Sequence, residues 1–552
     1  MRPRLPRRCR EAPPHPLRTA VAAVFAAVAA LGALAPAACS RAPEAPDLLR
    51  VRLPHEPSTL DPALSRDVTS IGVLTPIFET LVKVDPSTLE LRPALAQQWE
   101  VSEDGLTYTF HLREGARFHH GREVEAQDVV FSLTRLLSSD RPSPGAEILD
   151  PVAGADEFRN ADADRLEGLE ALDSRTVRIR LERPYAPFLV RLTTIHAAVV
   201  PRDIYGGPEK EYVRQPVGSG PFRFAEWRPA QWLRLERFSG YAPVAAQLAG
   251  IQFRIIEDQV AALEEFRRGG LDFLDEVPPG RVSSTIEEFG ELYHRWNTLT
   301  TSHLLFNNSV PPLAGNVLLR RALNLAVNRQ RLCEVLLEGL HVPASGILPH
   351  GMPGFDPGRP AYRENLEEAR RLLAEAGYPN GDKLPPLLLL FNTNPRVQRI
   401  VEQVQIDLAR IGVRLELRSA DGAAFLEALT SGEWGGRPLH MVRLGWSADY
   451  PDPDSFLGVQ LLSRNAGLAG NFSRYSNPEV DALIEKARRT LDAEQRYTLY
   501  REVERLAADR DVCWLFLYFH RSQLLVSSRV QGLVPVVLGN GVFPYEQLSL
   551  AP

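Results

Sequence analysis

The sequence predicts a mixed α and β protein with more than one domain, and three observations support this. Its 552 residues exceed what one compact core usually accommodates. Alternating apolar residues, typical of strands, are most evident in the first half, whereas apolar residues at helical spacing dominate the second. The chain contains no internal repeat and no long linker. We therefore expect domains that interleave along the chain rather than separate units in series.

The first 38 residues form a predicted export signal. Six arginines precede an apolar run from Ala20 to Ala35, and small residues follow. This order is typical of such a signal, and the run is shorter than the ~20 residues of a membrane-spanning helix. Ala35-Pro36-Ala37 fits ordinary cleavage, whereas Ala37-Ala38-Cys39 resembles a lipobox, in which Cys39 would carry a lipid anchor. We therefore expect an exported protein, either free in the periplasm or tethered to the outer face of the cytoplasmic membrane.

Charge argues against one class of partner. Hydrophobic residues make up 44% and charged residues 24% of the chain, as in a soluble globular protein. Removing residues 1–38 takes away six Arg and one Glu, so the formal net charge falls from −6 to −11. An acidic surface disfavours nucleic acid as a partner.

Strand patterns are clearest in the first half. Leu49, Val51 and Leu53 alternate with polar residues. The segment Trp99–Arg113 predicts a hairpin, with its turn at Asp104-Gly105. Two more alternating segments predict strands around residues 177–181 and 251–255.

Helix patterns are clearest in the second half. They cover residues 316–339, 365–377 and 396–411, and a further helix begins at Asn477-Pro478. Asn365 stands at a capping position three residues before a glutamate. Strands are expected at residues 413–417 and 512–519.

Two cysteines remain after the signal region. Cys333 and Cys513 each lie in an apolar stretch, which favours buried free thiols. A disulfide between them is the alternative in an oxidising compartment.

Several short segments together resemble the large periplasmic binding proteins of the dipeptide and oligopeptide class, solute-binding family 5. They follow family order from about residue 47 to the C-terminus. These segments are Ser58–Pro62, Phe78–Leu81, Pro93–Ala96, Trp99–Arg113, Ala126–Ser132, Gly218–Phe222, Arg321–Leu323, Ala326–Arg329, Ala369–Gly377, Gly445–Pro453 and Tyr475–Asp481.

The resemblance implies a type II-like periplasmic binding protein fold: an α/β protein of two lobes, joined at a hinge, with an extra inserted domain. The expected boundaries are 39–79, 186–305 and 516–552 for the three pieces of lobe I, 80–185 for the inserted domain and 306–515 for lobe II. Ligand would lie in the cleft between the lobes.

The resemblance also implies a function. The protein would be the extracytoplasmic substrate-binding component of an ABC importer, a monomer that captures short peptides and delivers them to the permease, without cofactor or metal. Alternatives are a non-peptide solute, such as a nickel chelate, haem, an opine or an oligosaccharide, or a role as a ligand sensor. A hydrolase is a remote alternative, because the sequence contains no G-x-S-x-G, H-E-x-x-H or P-loop motif.

The resemblance places ligand contacts in one segment. Asp449 would pair with the α-amino group of a peptide, and Arg443 would bind the carboxylate of a short one. Trp446 would form an apolar wall, while Gly445 and Ser447 would present backbone groups. The residues alone leave other interpretations open: an acidic surface turn around Asp449, a structural ion pair at Arg443, and core packing for Trp446.

Two further positions complete the expected site. The backbone of Val68 would border the ligand. Val397 stands where the oligopeptide-binding relatives carry a histidine that contacts the ligand carboxylate, so peptide length stays open. Arg396, beside it, would either take over that contact or remain an exposed residue at a helix start.

Overall fold

The computed structural model describes residues 48–208, 212–241, 246–467, 470–539 and 541–551. The predicted signal at 1–38 and the predicted lipid site at Cys39 lie outside these residues. The described strands are β1 (Leu48–Leu53), β2 (Val82–Val84), β3 (Leu91–Pro93), β4 (Ala96–Val101), β5 (Thr107–Leu112), β6 (Leu169–Ala171), β7 (Thr176–Arg180), β8 (Phe222–Arg228), β9 (Trp232–Arg237), β10 (Gly250–Ile255), β11 (Phe273–Leu274), β12 (Tyr293–Phe306), β13 (Val342–Pro343), β14 (Leu387–Asn392), β15 (Leu415–Ala420), β16 (Glu433–Trp434), β17 (Arg437–Pro438), β18 (Met441–Ser447), β19 (Trp514–Val526), β20 (Val530–Gln531) and β21 (Ser549–Leu550).

Helices cover the faces of the sheets. The described α-helices are Val68–Leu74, Ala126–Leu136, Ala155–Arg159, Phe188–Arg191, Arg202–Tyr205, Gln259–Arg267, Val282–Phe289, Val317–Ala326, Arg329–Arg331, Leu366–Glu375, Pro395–Ala409, Gly422–Ser431, Leu457–Leu461, Pro478–Arg489 and Ala493–Glu504.

One large mixed sheet runs through the molecule. Its strands lie in the order β15-β14-β18-β12-β19-β11-β1-β10-β9-β8, and β13 pairs with β19 beside this path. The two longest strands, β12 and β19, stand at its centre and pair antiparallel along most of their length. Strands β15, β14 and β18 lie on one side of this pair, and β11, β1, β10, β9 and β8 on the other. The central pair therefore links the two halves of the sheet directly.

A smaller sheet has its own core. Strands β4, β5, β7 and β6 form it in that order, and β4 and β5 make the predicted hairpin around Asp104-Gly105. The helix Ala126–Leu136 packs its buried face into the same apolar cluster as Phe110 and Phe188. This cluster reaches Val199. The boundaries 80–185 and those of the two lobes remain predictions.

The predicted mixed α and β fold is confirmed, and so are its local signals. The side chain of Asn365 accepts a hydrogen bond from the Glu368 amide at 3.0 Å, and Asn477 caps the helix that Pro478 begins. The predicted helix over 316–339 is wrong in one respect, because the α-helix ends at Ala326. Val327 is extended, and the Asn328 amide donates to the Asp407 carboxylate at 3.0 Å, which takes that amide out of the helical pattern.

Cys333 and Cys513 are buried free thiols. The predicted interpretation of these residues is confirmed, and the disulfide alternative is not. Burial raises the pKa of the Cys333 thiol to about 12, so it stays protonated at neutral pH.

Replacing Asn365 with Ala should lower the free energy of unfolding by about 1 kcal/mol, because the Glu368 amide loses its capping acceptor. Urea denaturation measures this loss. Asn365→Asp keeps a side-chain acceptor and serves as the control. Equal stability of the Ala and Asp variants would contradict a capping role.

Candidate functional site

Two adjoining cavities form the candidate site, and the second of them lies beside the central strands. The first, the Asp449 cavity, has a volume of about 200 Å³ and is lined by Glu79, His196, Tyr241, Asp449, Glu546 and other residues. The second, the arginine cavity, has a volume of about 370 Å³ and is lined by Val68, Glu276, His341, Arg396, Ser447, Arg521 and others. Phe543 lines both. A ligand that extends from one cavity into the other would therefore pass this ring.

Strand β18 sets the orientation of the predicted contact segment. Side chains alternate along a strand, so Arg443, Gly445 and Ser447 share one face, and Leu444 and Trp446 share the other. Ser447 lines the arginine cavity. Trp446 packs against the apolar core formed around the last long helices, and its indole N–H donates to the Ser455 carbonyl at 2.8 Å. The structure thus places Trp446 on the core side of the strand, away from Arg443 and Ser447.

The outer edge of β18 is open beyond its first residues. One edge of β18 pairs with β12 along the whole length of β18, from Met441 to Ser447. β14 pairs with the other edge only at Met441 and Val442. Among the described strands, none pairs with that edge from Arg443 to Ser447. An extended ligand could add to this edge with main-chain hydrogen bonds.

Asp449 lies just past the end of β18, in the Asp449 cavity. Its backbone amide donates to the Ser455 hydroxyl at 3.1 Å, which fixes the loop. The side chain is exposed to the cavity. Surrounding protein still removes part of its hydration, so burial raises the pKa of Asp449 to about 7, with Glu147 adding to the rise and Arg191 opposing it. Among the described residues, its carboxylate has no ion-pair partner.

Asp454, five residues later, is in the opposite situation. It is fully buried and accepts hydrogen bonds from Tyr185 (2.8 Å), Tyr500 (3.0 Å) and Arg488 (2.7 Å). Burial alone would raise its pKa, but Arg488 outweighs that effect and holds the pKa of Asp454 at about 2. Asp452 is also buried and pairs with Arg496. The alternative of an acidic surface turn is therefore wrong for these two carboxylates.

The Asp454 network ties two distant parts of the chain together. Tyr185 comes from the segment that follows the small sheet, whereas Asp454 and Arg488 belong to the region after β18. The Ala186 amide also donates to the Arg488 carbonyl at 2.7 Å, and Arg191 donates to the Tyr185 hydroxyl at 3.0 Å. These bonds hold the loop that carries Asp449 in one position.

Arg443 lies close to a group of basic residues. Its guanidinium donates to the Tyr518 hydroxyl at 3.3 Å, and its Nε is buried with no hydrogen-bond partner among the described residues. The rings of His341 and His520 lie 4.7 Å apart. Burial, together with Arg396 and Arg443, lowers the pKa of His341 to about 3. Among the described residues, no carboxylate pairs with Arg443, so the predicted alternative of a structural ion pair is not observed.

Val68 and Arg396 both line the arginine cavity. Val68 begins the helix Val68–Leu74, capped by the Asp67 carboxylate, and is 55% exposed. Arg396 is the second residue of the helix Pro395–Ala409. It was expected to be either exposed or ligand-facing, and it lines the cavity.

Sequence reasoning missed several cavity residues. Glu79 forms a bidentate pair with Arg113 (2.9 and 2.7 Å) and accepts from Tyr241 at 3.2 Å. Its motif, Phe78–Leu81, was among the matched segments and was the available signal. His341 and Arg521 gave no local signal, because they belong to strands or loops that meet only in the folded chain.

The family model of bacterial extracellular solute-binding proteins, family 5, matches residues 90–467. The chain belongs to solute-binding family 5. Heme-binding protein A of Haemophilus influenzae is 29% identical over 515 residues, covering 88% of this chain and 90% of the relative. The dipeptide-binding protein of Escherichia coli is 28% identical over 453 residues, covering 79% and 82%.

Solved structures agree with this assignment. The periplasmic binding protein DppA from Helicobacter pylori, in complex with peptide STSA, superposes with a TM-score of 0.76 at 27% identity, covering 91% of this chain and 98% of that one. The predicted two-lobed fold of this family-5 protein is thereby confirmed. Within the described ranges, none of the helices is both apolar and long enough to cross a bilayer.

Replacing Tyr185 with Phe should lower the free energy of unfolding by about 1.5–3 kcal/mol, because a buried carboxylate loses one hydrogen bond and Arg191 loses an acceptor. Chemical denaturation at pH 7 measures the loss. Tyr108→Phe is the matched control: that ring is equally buried, and no described group bonds its hydroxyl. Equal losses in the two variants would show that the Asp454 network does not hold these segments together.

Proposed function

We propose that this protein captures short peptides in the cleft between its two lobes and delivers them to the permease of an ABC importer. One observation carries the proposal: Asp449 lines one of two adjoining cavities and Arg396 lines the other, and among the described residues neither side chain has an ion-pair partner. A zwitterionic ligand with separated ends would satisfy both. The dipeptide-binding and peptide-bound relatives support this ligand class.

Asp449 would receive the α-amino group of the peptide. A buried ammonium group needs a counter-charge, because removing it from water unpaired costs several kcal/mol. The carboxylate of Asp449 lies in the cavity, in a loop that is held by the Ser455 hydroxyl, and it has no ion-pair partner among the described residues. An incoming ammonium group would favour the ionised carboxylate and reverse the rise in its pKa.

Arg443 and Arg396 would bind the carboxylate end. A guanidinium grips a carboxylate with two parallel hydrogen bonds, and the buried Arg443 Nε still has its hydrogen to donate. Between the two ends, the free edge of β18 at Gly445 and Ser447 would pair with the peptide backbone, and Val68 would border it. Backbone pairing gives affinity without selecting side chains. Trp446, on the core-facing side of β18, would contribute by holding the strand against the core.

The last part of the proposal concerns where this binding protein acts and in what form. We propose that residues 1–38 direct export, that Cys39 carries a lipid anchor, and that the protein acts as a monomer without catalysis of its own. Closure of the two lobes around a ligand that touches both would then present a surface to the permease.

A thermal-shift screen tests the ligand class. Di-, tri- and pentapeptides should raise the melting temperature, since a ligand at a hundredfold excess over its Kd stabilises the folded state by about 2.7 kcal/mol. Sugars, opines, haem and nickel chelates serve as comparison ligands. A rise with one of these and none with any peptide would keep the transport role and overturn the peptide assignment.

Lowering the pH from 7.5 to 5.5 should weaken peptide binding about twentyfold, because protonation of Asp449, with its pKa near 7, removes the partner of the ligand ammonium group. Isothermal titration calorimetry measures the affinity. Asp449→Asn should bind more than tenfold more weakly at pH 7.5 and show little change with pH.

The same variant controls for stability. A carboxyl group whose pKa is raised in the folded state costs stability once it ionises, between about pH 4 and 7. The melting temperature of Asp449→Asn at pH 8 should therefore equal or exceed that of the unchanged protein. A variant that binds peptide normally would remove Asp449 from the site.

A further inference from the structure

Apolar side chains from three separate stretches of the chain form part of the wall of the Asp449 cavity. They are Ile71, Pro76, Ile195, Leu538, Val542 and Phe543. The volume of about 200 Å³ exceeds the ~150 Å³ of an apolar cavity that admits a benzene ring. The Asp449 cavity therefore has room for a branched or aromatic side chain beside its carboxylate.

Apart from Asp449, every charged side chain of this lining bonds another group of the protein. The pairs are Glu79 with Arg113 (2.9 and 2.7 Å), Lys83 with Glu546 (3.4 Å) and Arg92 with Glu90 (2.6 Å). Asp85 accepts hydrogen bonds from the Ser87 and Thr88 amides, both at 3.0 Å. A charged side chain that entered the cavity would thus find no free counter-charge among the described residues, other than Asp449 itself.

The neutral polar side chains of the lining are also in use. Its four threonines each donate the hydroxyl hydrogen to a nearby backbone carbonyl; they are Thr75 (2.8 Å), Thr80 (2.6 Å), Thr193 (2.6 Å) and Thr194 (3.0 Å). The Tyr241 hydroxyl donates to Glu79 at 3.2 Å.

The remaining two polar residues differ in their exposure. His196 donates through Nε2 to the Ser65 carbonyl at 2.9 Å, and burial lowers the pKa of His196, so its ring is uncharged at neutral pH. Gln547 is exposed to solvent. A polar side chain that exchanged water for this wall would meet hydrogen-bond donors that are already bonded to the protein.

The α-amino group of a peptide and its first side chain are attached to the same carbon atom. If the ammonium group pairs with Asp449, the first side chain has to lie in or next to the same cavity. An apolar side chain gains free energy there in proportion to the area that it buries. A polar one gives up its water and gains no free donor in exchange.

Building on the proposed function, we infer that this protein prefers peptides whose first residue carries a large apolar side chain, such as leucine or phenylalanine. The ammonium group pairs with Asp449, and the side chain packs against Ile71, Ile195 and Val542. Later residues lie along the free edge of β18, so the preference does not extend to the last residue.

The test compares peptides whose first side chains have nearly the same shape. Leu-Ala-Ala and Asn-Ala-Ala are titrated by calorimetry against the purified protein, freed of endogenous ligand, at pH 7.5. Leucine and asparagine branch at the same carbon and differ mainly in polarity. Leu-Ala-Ala should bind at least tenfold more tightly. Ala-Ala-Leu and Ala-Ala-Asn carry the same exchange at the last residue, and their affinities should differ less than threefold.

A variant assigns the preference to this wall. Val542→Thr replaces one methyl group with a hydroxyl, and it should reduce the Leu-to-Asn affinity ratio at least threefold by weakening the binding of Leu-Ala-Ala. Val260→Thr is the matched control, because Val260 is an exposed valine of the helix Gln259–Arg267 and lines neither cavity. It should leave the ratio unchanged, and the melting temperatures show that both variants are folded.

The outcomes separate the inference from the proposed function. Equal, measurable affinities for Leu-Ala-Ala and Asn-Ala-Ala, or an equally large ratio at the last residue, would overturn the inference and leave peptide binding intact. Failure of all four peptides to bind would overturn the proposed function itself. A preference that Val542→Thr leaves unchanged, or that Val260→Thr reduces equally, would place its origin outside the Asp449 cavity and so contradict the inference.

Discussion

The antiparallel pairing of β12 with β19 is the interaction on which the rest of this structure depends. Each strand is long enough to contribute to both halves of the large sheet, so the two halves share backbone hydrogen bonds at their junction. β18 pairs with β12 from Thr300 to Phe306, which fixes the register that places Ser447 in the arginine cavity. A motion of one half relative to the other must bend this pair, and the register shifts near Thr301 mark where its ladder is already interrupted.

Two carboxylates in one loop, Asp454 and Asp449, differ in their surroundings and in the roles that follow from them. Asp454 is surrounded by donors, and its charge is stabilised enough to hold the adjoining segments together. Asp449 keeps part of its hydration, but among the described residues no donor bonds its side chain, and the surrounding protein raises its pKa to about 7. A cationic ligand that pairs with the Asp449 carboxylate would offset the free-energy cost of its ionised form. Arg396 and Arg521 line the second cavity, and none of the described carboxylates forms an ion pair with either of them.

In the proposed function, a carboxylate in one cavity and an arginine in the other would favour zwitterionic ligands before any side-chain pocket is considered. Under the proposed function, Asp449 would attract an ammonium group and Arg396 a carboxylate, so a peptide would be oriented from end to end. The free edge of β18 can accept main-chain hydrogen bonds from any extended peptide. Orientation by charge, together with affinity through the backbone, would suit the proposed capture of short peptides.

The sequence by itself determined the mixed α and β class, the hairpin at Asp104-Gly105, the Asn365 cap and the segment around Asp449, because each depends on neighbours within a few residues. It also placed the chain in its family, through motifs that follow one another in order. Only the tertiary structure decided that Trp446 faces the core and that His341, Arg396 and Arg521 share one cavity. The physical reason is that burial and the pairing of charges are properties of segments far apart in the chain. No local pattern encodes which strands will bring those segments together.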